Sequence, residues 1–201
     1  FRMTWKDDEY SEAGKLGTFS DAVALEFPVK DGPPTSVFMG AKDNPVHLYH
    51  WRAMYQHDRD TGRVKEPKDM YPNMNPDMYH MDYKDEGNLK GKISEDDKAA
   101  YNPGKAAGNP QSYVKLNGVD EIFAEGFGTS SIQDVKEAEA NGVFKNKQWS
   151  VVILRPMKSS LGSVLATGKD AHIGFAVWQG GKNEVGARKS LTMAWIPLNI
   201  K

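Results

Sequence analysis

The chain has 201 residues, which is enough for one domain with a substantial hydrophobic core. Its 26 basic and 27 acidic side chains nearly cancel, whereas a nucleic-acid-binding protein typically has a basic surplus. Cysteine is absent, so this chain holds no iron–sulfur cluster, no haem attached through a C-x-x-C-H motif and no disulfide. No apolar run approaches the roughly 20 residues that a transmembrane helix needs.

The chain opens on Phe1–Trp5, which reads as the interior of a β-strand and not as a signal peptide, so we expect further residues before Phe1. Short apolar segments, separated by 19 glycines and 11 prolines, are typical of an all-β protein. The other candidate strands are Asp21–Phe27, Ser36–Gly40, Val46–Trp51, Trp149–Arg155, His172–Trp178 and Lys189–Leu198.

The alternation of side chains within these segments predicts a sandwich of two antiparallel sheets. In the first segment Val23, Leu25 and Phe27 share one face, and the residues between them share the other. Trp149–Arg155 is apolar on both faces, as expected of a central strand. We predict one β-sandwich domain over residues 1–201.

Two parts of the chain depart from this pattern. The stretch from about Gln56 to Tyr113 is rich in Asp, Lys, Asn, Pro, Gly and Tyr, and it predicts a long irregular excursion. In Ser130–Asn141, a serine cap and Asp134 in the first turn predict a short helix that Gly142 ends.

Motifs of familiar catalytic sites are missing from the sequence. There is no G-x-S-x-G and no H-E-x-x-H pattern. Gly162–Asp170 has five residues between its glycines where a phosphate-binding loop has four, and Asp170 replaces the magnesium-binding Ser or Thr. His47 and His50 fall on opposite faces of a strand, which argues against joint chelation of a metal. We therefore interpret the five histidines as ordinary core or surface residues.

A methionine-rich stretch lies at residues 69–83. Thioethers beside His80 suit Cu(I), but Pro72 and Pro76 prevent the regular helix that would align them. We interpret the stretch as a loop that packs against the protein or a partner. Its methionines are Met70, Met74, Met78 and Met81.

Six segments, taken in chain order, carry a resemblance to a known family. They are Phe19–Pro28, Phe38–Ala41, Pro45–Ala53, Trp149–Pro156, Phe175–Gly181 and Arg188–Leu198. Together they resemble the haem b (γ) subunit of the type II dimethyl sulfoxide reductase family, which includes ethylbenzene dehydrogenase, selenate and chlorate reductases, dimethyl sulfide dehydrogenase and, more distantly, nitrite oxidoreductase. The central region resembles this family more weakly, chiefly through Tyr71–Tyr79.

The resemblance implies a β-sandwich that binds one non-covalent b-type haem between a methionine and a lysine. Met39 in FMGA matches the methionine position, and Lys189 in ARKSLTMAW matches the lysine position, so both are the expected axial ligands of the haem iron. Met74 and Met78 are the alternative methionines, and Lys182 is the alternative lysine.

The chemistry of the two preferred residues agrees with such a role. In a strand Met39 would share a face with Val37, and the bare Gly40 would let a flat macrocycle approach the backbone. Lys189 would share a strand face with Leu191 and the apolar residues beyond it. A lysine buried there would have a lowered pKa, and only the neutral amine has a lone pair for iron.

The resemblance also implies the biological setting. The chain would be a non-catalytic electron-transfer subunit of an extracytoplasmic, typically periplasmic, complex. It would relay electrons between an iron–sulfur β subunit and an external carrier such as a c-type cytochrome, while a separate α subunit holds molybdopterin.

Two other functions are consistent with the residues alone. Antiparallel sandwiches also serve as carbohydrate- or protein-binding modules, and the five tryptophans could include a stacking platform. The methionine-rich stretch would suit a copper-handling protein. The tryptophans are Trp5, Trp51, Trp149, Trp178 and Trp195.

Overall fold

A computed structural model describes residues 1–15, 17–65, 67–73 and 112–200, together with Gly104, Ala107 and Asn109. Within these residues the fold has ten strands in two antiparallel sheets, which confirms the predicted all-β sandwich. The strands are β1 (Arg2–Lys6), β2 (Ala22–Pro28), β3 (Val46–Arg52), β4 (Val119–Ala124), β5 (Ser131–Ile132), β6 (Glu139–Lys145), β7 (Gln148–Leu154), β8 (Ala171–Trp178), β9 (Ser190–Leu191) and β10 (Ile196–Leu198). The helices are α1 (Ala53–Thr61), α2 (Pro67–Met70) and the 3-10 turn Gly180–Lys182.

The two sheets differ in size. The small sheet has the order β1-β7-β6, so β7 is its central strand, as the sequence predicts. The large sheet has the order β10-β8-β2-β3-β4-β5, and β9 also pairs with β8. No helix in the described part of the chain is long and apolar enough to cross a bilayer. The boundaries of the single domain stay a prediction, since residues 74–103 lie outside the described residues.

The main core lies between the sheets and is built by period-two alternation. On β2, the predicted face of Val23, Leu25 and Phe27 points into this core and is fully buried. Large aromatic and branched side chains from both sheets meet there: Tyr49, Trp51, Trp149, Val151 and Ile153. The opposite face of the large sheet is therefore free to form a second, separate environment.

The predicted strand Ser36–Gly40 is wrong, because this segment is a turn. Met39 and Gly40 have φ angles of 68° and 77°, in the left-handed region that a strand excludes. The turn is closed by the Gly40 amide, which donates to the Ser36 carbonyl at 3.0 Å.

The predicted helix Ser130–Asn141 is also wrong, because the segment is extended and contributes to β5 and β6. The buried Glu121 carboxylate accepts the amides of Glu137 and Ala138, at 2.7 and 2.9 Å, which satisfies backbone groups without a helix. Gly142 does not end a helix. A Cβ there would lie 2.4 Å from the Trp51 ring, so the glycine makes room for a core indole.

Helix α1 lies at the start of the stretch that was predicted to be irregular. Gly62, with a φ of 73°, ends this helix and donates its amide to the Asp58 carbonyl at 2.8 Å. Gln56 joins α1 to β6, since its Oε1 accepts the Gly142 amide at 2.7 Å. The rest of the excursion lies mostly outside the described residues.

A buried carboxylate at the start of β2 ties distant segments together. Asp21 is 0% exposed and accepts three hydrogen bonds, from the Ser11 amide at 2.7 Å, the Gly180 amide at 2.8 Å and the Trp149 indole at 3.0 Å. Burial raises the pKa of Asp21 to about 6, and the three donors oppose that shift. This one side chain thus connects the N-terminal loop, both sheets and the 3-10 turn.

Replacing Asp21 by Ala would leave these N–H donors without their acceptor. We expect Asp21→Ala to lower the free energy of unfolding by about 3 to 5 kcal/mol, measured by urea denaturation. The exposed Asp8 provides a matched control, since Asp8→Ala should change it by no more than about 0.5 kcal/mol. Equal midpoints for the two variants would contradict a structural role for Asp21.

Candidate functional site

A cavity of about 380 Å³ opens on the face of the large sheet that points away from the core. Its size lies within the range of about 300 to 1,000 Å³ that is usual for ligand pockets. Strands β2, β3 and β8 form its floor, and three connecting segments form its walls. Met39 and Lys189, the two residues that the sequence predicts as a pair, both line it, although they lie 150 positions apart.

The floor of the cavity includes two small side chains, Ala24 and Ala176, among larger ones. Ala24 pairs directly with Ala176 on β8 and with His50 on β3, so these three side chains lie in one row across the sheet. Gly174 opposes Glu26 in the next row. The Val37 side chain covers Gly174, since a Cβ there would lie 3.2 Å from it. Because the two alanines project little above the sheet, a flat ligand can lie close to the backbone in their row.

The turn that carries Met39 is fixed at several points. The Met39 carbonyl accepts the Gly126 amide at 2.7 Å, which ties the turn to the loop after β4. The half-buried Met39 side chain packs against Val46, Leu48 and Ala124. The thioether therefore lies at the edge of the cavity on a turn. The predicted strand, on which Met39 and Val37 would share a face, does not form.

Gly40 has a different role from the predicted one. A Cβ on Gly40 would lie 3.0 Å from the Ala124 carbonyl and 3.1 Å from the Asn44 carbonyl. The close approach that needs glycine is thus to the protein's own backbone, and it seats the Met39 turn against β4.

Lys189 lies just before β9, and the predicted strand Lys189–Leu198 is interrupted. β9 and β10 both pair with β8, but the residues between them leave the sheet, and Met193 is 74% exposed. The predicted strand face therefore does not extend beyond Leu191, which lines the cavity with Lys189. Burial lowers the pKa of the Lys189 amine, and Nζ lies 4.8 Å from the centre of the Trp178 ring.

Glu26 is a carboxylate in this cavity that the sequence reasoning missed. Its Oε1 is shielded from solvent and has no hydrogen-bond partner among the described residues. Burial raises the pKa of Glu26 to about 8, while the positive charge of Lys189 and a hydrogen bond from the Met39 amide lower it. The carboxyl group therefore faces both predicted ligands.

His50 was also missed, although it follows from the alternation along β3. Leu48, His50 and Arg52 are spaced two residues apart and line the cavity, while the buried His47 lies on the opposite face of the strand from His50, as predicted. The His50 ring centre lies 4.9 Å from that of Trp178, and its buried Nε2 has no partner in the described part of the chain. Burial, with the charges of Arg52 and Lys189, holds the pKa of His50 well below its usual value.

The other candidates are placed elsewhere. Lys182, the alternative lysine, is exposed in the 3-10 turn and does not line the cavity. Met74, Met78 and most of the methionine-rich stretch lie outside the described residues. The five tryptophans are buried or half-buried; three of them pack together in the core, and Trp178 lines the cavity.

A serine, histidine and glutamate come together inside the sandwich. His47 Nδ1 lies 3.0 Å from Ser163 Oγ, and His47 Nε2 lies 3.4 Å from Glu121 Oε2. All three side chains are at most 1% exposed, and the cavity beside Ser163 measures only about 40 Å³. Such a space holds a water molecule but no organic substrate, so we interpret the group as a buried polar network.

The family model described as ethylbenzene dehydrogenase matches residues 1–190. The chain is also similar to the chlorate reductase subunit gamma of Ideonella dechloratans, with 26% identity over 202 residues. This alignment covers 99% of the chain but only 59% of that relative.

A substitution at Gly40 would test the seating of the Met39 turn. Gly168 has a similar φ of 75° but open space around it, so Gly168→Ala should cost only the left-handed backbone strain of about 1 to 2 kcal/mol. We expect Gly40→Ala to cost about 1 to 3 kcal/mol more, because its Cβ meets two carbonyl oxygens. Equal losses in thermal unfolding would show that the turn does not depend on this contact.

Proposed function

Because the chain belongs to the ethylbenzene dehydrogenase family, we propose that it is an electron-transfer subunit that binds one non-covalent b-type haem in the cavity between Met39 and Lys189. The observation that supports this proposal best is the convergence of these two residues on one cavity. When bound, the haem supplies a metal centre that gains and loses one electron.

The residues of the cavity fit a haem in three respects. The two alanines of the floor, Ala24 and Ala176, leave room for a flat macrocycle above their row of the sheet. The walls offer a thioether and an amine, both of which are neutral donors when the amine is deprotonated. The buried Oε1 of Glu26 and Nε2 of His50 face this space without partners among the described residues, as expected where a bound group completes the site.

Each residue has a distinct task in this proposal. Met39 presents a soft donor that favours the reduced metal and raises its potential. Lys189 presents an amine whose proton is already disfavoured by burial. Trp178 covers one side of that amine and limits its access to water.

The proposal extends to partners and location. The similarity to a chlorate reductase subunit gamma supports a place in a multi-subunit molybdenum oxidoreductase, with the chemistry on substrate in another subunit. In this arrangement the chain relays electrons between an iron–sulfur subunit and an external carrier, in the periplasm. Cell fractionation of the native host and subunits that co-purify with the chain would test these two points.

The axial ligands can be tested by absorption spectroscopy of the purified protein. Wild-type protein should give a reduced-minus-oxidised spectrum typical of low-spin b-type haem. Its pyridine haemochrome spectrum should be that of a haem that is not covalently attached. Met39→Ala and Lys189→Ala should each lose the low-spin spectrum, because each removes one axial donor.

Two variants serve as controls for this experiment. Lys182→Ala removes an exposed lysine outside the cavity and should keep the wild-type spectrum. His50→Ala removes the other nitrogen donor of the cavity and should also keep low-spin haem. Loss of the spectrum in His50→Ala but not in Lys189→Ala would reassign the nitrogen ligand to His50.

Haem should also stabilise the fold, because a ligand that binds only the native state adds its binding free energy. With free haem at 100 times its Kd, we expect a gain of about 2.7 kcal/mol and a rise in Tm of roughly 5 to 10 °C. The double variant Met39→Ala, Lys189→Ala should lose most of this gain. A wild-type Tm that does not respond to haem would contradict the proposed function.

A further inference from the structure

A second cavity, of about 430 Å³, lies beside the first on the same face of the large sheet. The two cavities share His50, Arg52, Trp178 and Gly186. Ala22 on β2 lies between Arg52 and Trp178 in one row of the sheet, so the floor remains shallow where the cavities meet. The shared residues form a border between the cavities and not a wall that closes either one.

Arg52 is the charged side chain that lines both cavities. Its guanidinium lies 5.4 Å from the centre of the Tyr55 ring, and it forms no ion pair with any carboxylate of the described residues. Glu184, the carboxylate that lines the second cavity, instead accepts the Gln179 amide at 2.8 Å. Arg52 lies close enough to His50 that its charge adds to burial in lowering the pKa of that histidine.

The two cations of the first cavity therefore have different surroundings. Lys189 lies within the first cavity, with its Nζ 4.8 Å from the centre of the Trp178 ring and with Glu26 as a carboxyl neighbour. Arg52 keeps its charge, because a guanidinium is not deprotonated in proteins. A ligand that carries carboxylates on an apolar body would thus meet, where the two cavities join, a cation that no described carboxylate neutralises.

We propose that Arg52 binds a carboxylate on the edge of the bound tetrapyrrole, and that the second cavity admits this carboxylate-bearing edge. This inference rests on the proposed function and assigns one contact within it. The fork of the guanidinium matches a carboxylate with two parallel hydrogen bonds, and partial shielding from water strengthens such a pair.

The contact can be tested by titrating purified apoprotein with haem and with haem dimethyl ester, which lacks the carboxylate charges. For wild-type protein we expect the ester to bind about 10- to 100-fold more weakly than haem, from the usual strength of a charge-assisted hydrogen bond. Arg52→Gln should weaken haem binding by a similar factor and should leave binding of the ester nearly unchanged. Arg52→Lys should recover part of the affinity, since it keeps the charge but loses the fork.

Arg2→Gln is the matched control, because Arg2 is exposed on the small sheet. It should bind both compounds as the wild type does. Circular dichroism of the apoproteins checks that each variant is folded, and the low-spin spectrum of Arg52→Gln at saturating haem checks that the axial ligands are intact.

Three outcomes would overturn the inference. If Arg52→Gln bound haem as tightly as the wild type, Arg52 would not hold a carboxylate. If Arg52→Gln weakened haem and the ester by equal factors, its effect would be on the shape of the cavity. If the wild type bound neither compound, the proposed function would fail as well, and that result is distinct from the other two.

Discussion

The period-two alternation of β2 and β3 is the constraint on which both the fold and the site depend. On one face, the large side chains of these strands fill the space between the sheets, where Trp51 also requires the bare Gly142. On the other face the same strands present Ala24 beside Glu26 and His50. A shift of either strand by one residue would exchange the two faces and destroy the core and the cavity together.

The segments that the sequence predicts well are those whose side chains alternate over a whole strand. β2, β3, β7 and β8 lie within one residue of their predicted bounds, and in β2, β3 and β7 every second residue is buried. The two wrong elements depend on contacts between distant parts of the chain. The turn at Met39 is set by the backbones of β4 and its loop, and the extended segment before β6 is set by Glu121, so local residue preferences did not reveal either one.

The residues of the cavity also divide into those that the sequence could indicate and those that it could not. Resemblance to a family suggested Met39 and Lys189 as a pair of ligands, and in the structure both residues line one cavity. Glu26 and Arg52 carried a local signal, since each alternates with core residues of its strand and so must point to the opposite face. What the sequence could not supply was the partner strand, and without it a polar residue on an outer face cannot be distinguished from one in contact with solvent.

Lys189 and Glu26, both half-buried, are neighbours in this cavity, and burial shifts the pKa of each toward its neutral form. An ionised Glu26 would stabilise the protonated form of Lys189, but burial raises the pKa of Glu26 to about 8. A protonated Glu26 would therefore not oppose the effect of burial on the Lys189 amine. Arg52 lies at the border of the same cavity, so the proposed carboxylate contact and the proposed metal ligand occupy different parts of one pocket.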